Sequence, residues 1–541
     1  MLLAVACTND NNIVQGDDKQ NEEPNVSGLT AFVSENEALT QKNKEGATRT
    51  TAQYDGDGLS FYWTEGDRLW VNKAATGTPD MKEDLWNNIT ERLKDSPTPG
   101  GIKRAAYASF YFSGSFPAEQ YKVRYIGRDE RIITGDKVII TGKQKQDVPN
   151  DASHIGLSGD CGTGTARRQP NGGYTFMLDH QASYVTFLPY STQSVVSAAQ
   201  IKKIRVWCND KAICGEFKFT DDGINIGSRP SATDANRQIE LTLNDFPIPA
   251  SPDAAKNAAI MVIAPGTYTN FSVEYTLYDS KTDITGTITK TYPSVTFTAG
   301  KNKKVSQDLQ VTEYSSDYYA WDAKKDYWYG HESYQPFYRA DESGAPYAPA
   351  SKEKDPLRWY NDVEGYHDIT GAAPAVVAMN SAVDCPNVNK TLWYVGKGDP
   401  HFDTELWSMK NHLYSGRIWF KKQSLIAKEN GKEVADLDKV SPDGVDYTRL
   451  CSDHWPISTI RNEHVTQHTP DTPGNYFCLP IGGAYESATF KYYGQTGYYW
   501  TSTPSPKTTT QAFHLICQRD FVAVDQYYDS RTDGYRLWKA E

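Results

Sequence analysis

Short stretches of alternating apolar and polar residues recur along most of this chain. Leu59, Phe61 and Trp63 alternate with Ser60 and Tyr62, and Phe271, Val273, Tyr275 and Leu277 alternate with Ser272, Glu274 and Thr276. A period of two places one set on a buried face and the other on an exposed face of a strand. Residues 29–33, 184–188, 204–207 and 239–243 are further strand-like runs. Asp222-Gly223, Pro265-Gly266 and Ala299-Gly300 separate such runs as turns. Many short strands with this punctuation predict β-sandwiches. Helical spacing is rarer. Leu85, Ile89 and Leu93 are spaced by four and predict a helix over residues 80–93. Residues 403–412 read as a helix with Asp403 as N-cap and Glu405 in its first turn, and residues 421–429 as another.

The densest stretch is residues 475–504. It holds six tyrosines, two phenylalanines and Trp500, against one Glu, one Lys and neither Asp nor His. Such a stretch buries much area and is poorly equipped for acid–base or metal chemistry. Glycines 482, 483, 494 and 497 divide it into short strands. It serves either as the packed centre of a β-rich domain or as a recognition surface.

A chain of 541 residues holds about three to four domains. Composition breaks place the divisions at residues 1–27, 28–195, 196–313 and 314–541, the first a polar tether. The last unit, from residue 316 onward, is expected to fold by itself. The formal charge is −12 and no Lys/Arg stripe occurs, which argues against nucleic acid. No apolar run reaches the roughly 18 residues of a membrane span. Met1 to Ala6 is apolar and ends at Cys7, before the polar run Thr8 to Asn12. This resembles the end of a lipoprotein signal, with Cys7 as the lipidated residue and Ala4 where Leu is usual. Eight cysteines are present, none in a CxxC. Cys208 and Cys214 could meet across a hairpin or remain two buried thiols.

Candidate chemistry is sparse. His464 and His468 are four apart but lack the Glu of a zinc-protease helix, and Thr469-Pro470 ends any helix there. The Asp-Gly pairs at 55–58 and 443–446 lack the later bidentate Glu of a calcium loop and read as turns. Gly162 to Thr165 has no phosphate-loop ending, and no Gly-x-Ser-x-Gly occurs. No catalytic set, metal site or cofactor is expected.

Two resemblances extend these readings. Thr48-Arg49-Thr50, the Trp63 to Asp67 turn, Ser115-Phe116-Pro117 and the pattern Leu178, His180, Ser183, Val185, Phe187 resemble the fimbrillins, the lipoprotein pilins of Bacteroidales, over residues 25–313. Leu479-Pro480, Gly482-Gly483, residues 497–503, residues 512–515 and Gly534 to Trp538 resemble a C-type-lectin-like module of bacterial surface proteins. Residues 398–403, Leu406-Trp407 and 412–422 resemble the lectin-like heads of Bacteroides-type fimbrial proteins. Together they imply a mainly β chain: two transthyretin-like β-sandwich domains, then an α+β C-type-lectin-like domain. They imply export as a lipoprotein to the outer membrane and cell surface, and proteolytic maturation after Arg49. That cut would remove the first strand and open a groove for a strand of another pilin subunit. A tip adhesin of a fimbria, binding a glycan or protein ligand, is the favoured reading. The alternatives are a glycan-binding lipoprotein of a polysaccharide-uptake system and an enzyme on a lectin-like fold. The lectin calcium motifs are missing, so calcium-dependent sugar binding does not come with the resemblance. The sequence does not single out the ligand-binding residues, and loop aromatics such as Trp455 and Tyr527 are the first choices for substitution.

Overall fold

A computed structural model describes residues 26–35, 51–56, 58–74, 77–94, 103–128, 131, 134–339, 341, 343–364, 375–449, 461–506, 508–525 and 530–541. Cys7, Arg49, Trp455 and Tyr527 lie outside the described residues. The fold is mainly β, with 42% strand and 11% helix.

The first sheet has nine strands. Its middle runs from Gln120–Tyr125 through Gly162–Arg168, Tyr174–Phe176 and Thr30–Ser34 to Ser109–Phe112. One face buries Phe32, Trp63, Val71, Phe110, Phe112, Val123, Tyr125 and Phe176. The predicted helix over 80–93 is only partly present. Met81–Glu83 and Trp86–Asn87 are strands, and the helix is confined to Ile89–Lys94. Leu85, one of the three residues that suggested it, is 64% exposed, while Ile89 and Leu93 are buried. Pairing of Trp86 and Asn87 with Tyr111 and Phe110 outweighs local helix preference there.

The second core is built on a long antiparallel hairpin, Gly266–Asp279 and Ile284–Phe297, beside Gln200–Trp207 and Gln238–Pro247. A three-stranded sheet, Ala259–Ile263, Ser183–Tyr190 and Asn302–Asp308, is also part of it. Phe271, Val273, Tyr275 and Leu277 are buried in this core, as their alternation requires. Val138, Ile140, Ile155 and Tyr184, earlier in the chain, pack into the same core. Cys208 and Cys214 are free thiols, as are Cys161, Cys385, Cys478 and Cys517.

Beyond residue 313 the main sheet continues. Ile284–Phe297 makes a parallel bridge, Thr287 to Glu405, with His401–Met409, which pairs with His412–Lys421 and then Tyr476–Pro480. Residues 403–409 therefore form a strand where a helix was expected. The Asp403 carboxylate does not cap a helix. It takes two hydrogen bonds from Arg417, at 3.0 and 2.8 Å, and one from Trp419 Nε1 at 2.6 Å, both on the neighbouring strand. The expected helix near 421–429 is present as Gln423–Glu429. A second helix, Val388–Lys397, starts at Asn387, whose side chain accepts the Lys390 N–H. A six-stranded sheet is made of Arg461–Asn462 and five strands between residues 482 and 525. The first and last segments of this part meet, since Tyr319 and Tyr535 exchange backbone hydrogen bonds of 2.8 and 3.0 Å.

Candidate functional site

Strand Thr30–Ser34 is short, but it is not at an edge. It pairs antiparallel with Ser109–Phe112 and parallel with Tyr174–Phe176, so both backbone edges are engaged. Phe32 points into the core and is fully buried. Its ring stacks on Tyr174 at 4.6 Å and meets Phe112 and Phe116 edge-on at 5.0 and 5.2 Å. Two residues later Ser34 Oγ accepts the Trp63 indole N–H at 2.8 Å and the Ala108 backbone N–H at 2.9 Å. The strand thus fills an aromatic channel and satisfies two buried donors. Only residues 35–50 join it to the next strand, Thr51–Tyr54, which pairs in a separate hairpin with Leu59–Tyr62. Arg49 falls in that link, two positions before Thr51. Sequence patterning indicated a strand at residues 29–33. It carried no signal for the strand's central place, which depends on register partners 76 to 82 and 142 residues downstream.

The pattern Leu178, His180, Ser183, Val185, Phe187 also acquires a physical role. It spans the crossing from strand Leu178–His180 of the first sheet to strand Ser183–Tyr190 of the second core, and all five residues are buried. His180 Nδ1 lies 2.8 Å from Asp160 Oδ1 and 2.9 Å from the Tyr184 hydroxyl, which also donates to Asp160. Phe61 covers the imidazole at 3.6 Å between ring centres. Burial, then the Asp160 charge, holds the Tyr184 hydroxyl well above its ordinary pKa. An Asp–His–Tyr set sealed this deeply offers no access to a substrate and serves as a polar lock between the two cores.

In the last part of the chain the aromatic stretch is mostly core. Trp500 is fully buried, stacks on Tyr535 at 4.3 Å and donates its indole N–H to the Tyr319 carbonyl at 2.7 Å. Tyr485 and Phe490 pack with Tyr318, Trp328, Trp407 and Tyr414 in one cluster. Tyr492 differs: it is 38% exposed. His464 and His468 are exposed and outside any helix. The Asp-Gly turns bond to protein groups: Asp55 accepts from Gly58 N–H and Ser60, and Asp443 from Val445 N–H and Tyr447. Among the described residues no group of three or more His, Cys, Asp or Glu is placed to hold a metal ion, and no helix is long and apolar enough to cross a membrane.

The chain matches no protein-family model, and no curated protein matches it. Its structural neighbours include a candidate cell adhesion protein from Bacteroides ovatus, 13% identical, covering 52% of this chain and 92% of that one at a TM-score of 0.28. A fimbrial protein from Bacteroides ovatus is 10% identical and covers 88% of this chain and 94% of its own length at 0.19. A shaft pilin from Lactobacillus rhamnosus is 10% identical, covering 52% of this chain and 97% of that one, also at 0.19. With TM-scores this low the likeness fixes neither the fold nor the function of this chain.

Proposed function

We propose that this chain is a surface pilin subunit, the tip adhesin of a fimbria, that accepts a strand from the next subunit and binds a ligand through its last domain. The observation that carries this reading is strand Thr30–Ser34. It lies between two strands, contributes one buried aromatic ring and one buried hydroxyl, and is joined to the next strand by the segment that contains Arg49. A cut after Arg49 followed by loss of this strand would expose unpaired backbone groups on Ser109–Phe112 and Tyr174–Phe176, above a floor of Phe112, Phe116 and Tyr174. An incoming strand would restore the ladder and fill the Phe32 position, which is recognition by strand addition. Cys7 is the proposed lipid attachment site for transit to the outer membrane, and no cofactor or catalysis is assigned.

The units follow as 28–195, 196–313 and 314–541 after the 1–27 tether. The first lends Lys137–Ile140, Lys143–Gln146 and Ser183–Tyr190 to the sheets of the second. The transthyretin-like and lectin-like labels belong to this proposal and rest on the sequence motifs. The tip position is supported by the route of the chain after Asn302–Asp308: Thr312–Glu313 pairs with His401–Met409, so the end of the second unit is engaged and not free to be donated. Limited trypsin digestion with N-terminal sequencing tests the maturation step. An early product beginning at Thr50 is expected. Early cuts only at other sites, with Arg49 intact, would remove the basis for strand release.

A further inference from the structure

A cleft of about 600 Å³ lies where the last domain meets the second unit. This is within the usual size of a small-ligand site, and unit junctions are common places for one. One wall is the turn that joins the long hairpin, with Lys281, Thr282 and Asp283. The other is made by Tyr338, Arg339 and Tyr492.

Both walls are held in place by hydrogen bonds within the protein. Thr282 Oγ1 donates to the Leu413 carbonyl at 2.9 Å, pinning the turn to the last domain. Tyr414 OH donates to the Phe337 carbonyl at 2.7 Å, and the Arg339 N–H donates to Tyr493 OH at 3.0 Å. Tyr493 is itself stacked on Phe490 at 5.0 Å. Tyr492 on one wall has φ 61°, a left-handed conformation uncommon for a tyrosine, and Asp283 on the other has φ 56°, which Asp adopts more readily.

The charge of the cleft runs against that of the chain. The protein carries 68 acidic and 56 basic residues. Here Lys281, Arg339 and Lys491 face a single carboxylate, Asp283. Lys491 is paired with Glu486 at 3.0 Å and Asp283 accepts from Tyr278 OH at 3.0 Å. Among the described residues neither Lys281 nor Arg339 has an ion-pair partner. A cleft lined by tyrosines, with Lys281 and Arg339 outnumbering the one carboxylate of Asp283, suits a flat-faced, hydroxylated ligand bearing a carboxylate.

We infer that this cleft binds an acidic glycan, a carboxylate-bearing sugar packed against Tyr338 and Tyr492 with its carboxylate met by Lys281 and Arg339. The inference deepens the adhesin reading and rests on it, but it is independent of the strand groove. The test is calorimetric titration of the full chain with trigalacturonate, its neutral counterpart trigalactose, and triglutamate. Saturable binding of trigalacturonate alone is expected. Lys281→Gln with Arg339→Gln, and separately Tyr492→Asn (Asn tolerates the left-handed backbone), should each weaken it by about tenfold or more, with the thermal melt unchanged. No binding of trigalacturonate, equal binding of triglutamate, or binding that survives both variants would overturn the assignment. Adhesion of the same variants to whole cells separates the two readings: adhesion unaffected by either variant removes this cleft and leaves the adhesin reading standing.

Discussion

Phe32 and Ser34 carry the strand that the proposal turns on. Phe32 is fully buried among four aromatic rings, so truncation leaves a cavity that a rigid aromatic channel cannot close. Phe32→Ala is expected to cost about 3–5 kcal/mol in urea denaturation. Ser34→Ala should cost about 1–3 kcal/mol, because the Trp63 indole N–H and the Ala108 N–H lose their shared acceptor. Leu85→Ala, at a site 64% exposed, should change stability by no more than about 0.5 kcal/mol. A Phe32→Ala chain as stable as wild type would mean that the strand is not integral to the first unit. At this scale burial was legible wherever alternation was clean, as at Phe271 to Leu277. It was not legible for Leu85, since spacing by four cannot show that only one turn of a helix follows.

Strand pairing shows where reading by local pattern stops. Asp403 and Glu405 suggested a capped helix start, yet both belong to the strand His401–Met409, whose partners supply Arg417 and Trp419 for Asp403. Nothing within ten residues of Asp403 announces those donors. Glu405 sits on the bridge to Ile284–Phe297 and accepts the Thr289 N–H at 3.0 Å. Burial pushes its carboxyl up to about 7 from 4.5, against the pull of Arg417. The folded chain therefore binds an extra proton between these two values. The stability contribution is fully present below pH 4.5 and is lost as pH rises through about 7. Glu405→Gln should remove this dependence, so that the variant gains on wild type between pH 5 and pH 8 by on the order of 2 kcal/mol. Parallel urea curves at the two pH values, differing by a constant offset, would contradict the assignment.

Across the whole molecule, the sheet that runs through the seam joins the proposed second unit to the proposed last one. Gly286 makes the close approach possible: a Cβ there would stand 2.5 Å from Leu406 Cδ2 and 2.8 Å from Ser415 Cβ. Thr282 and Asp279 add hydrogen bonds to the Leu413 carbonyl and N–H. Calorimetry of the full chain should show these two units melting in one transition, and Gly286→Val should split it or lower it by several degrees. An unchanged scan would show that the seam contributes little. Composition and motifs indicated a division near residue 313, but the seam was not legible, because a one-residue bridge between strands 118 positions apart leaves no local mark.

Release of the first strand from a groove that accepts another strand is the central step of the proposed assembly. The most direct measurement is peptide exchange. The chain is cut at Arg49 with trypsin and incubated with a labelled peptide of residues 26–35, or with the same peptide carrying Phe32→Asp. Stoichiometric incorporation of the native peptide into the cut chain only, and none of the Asp peptide, is the predicted result. Failure of the cut chain to take up the native peptide, or equal uptake of both peptides, would contradict it.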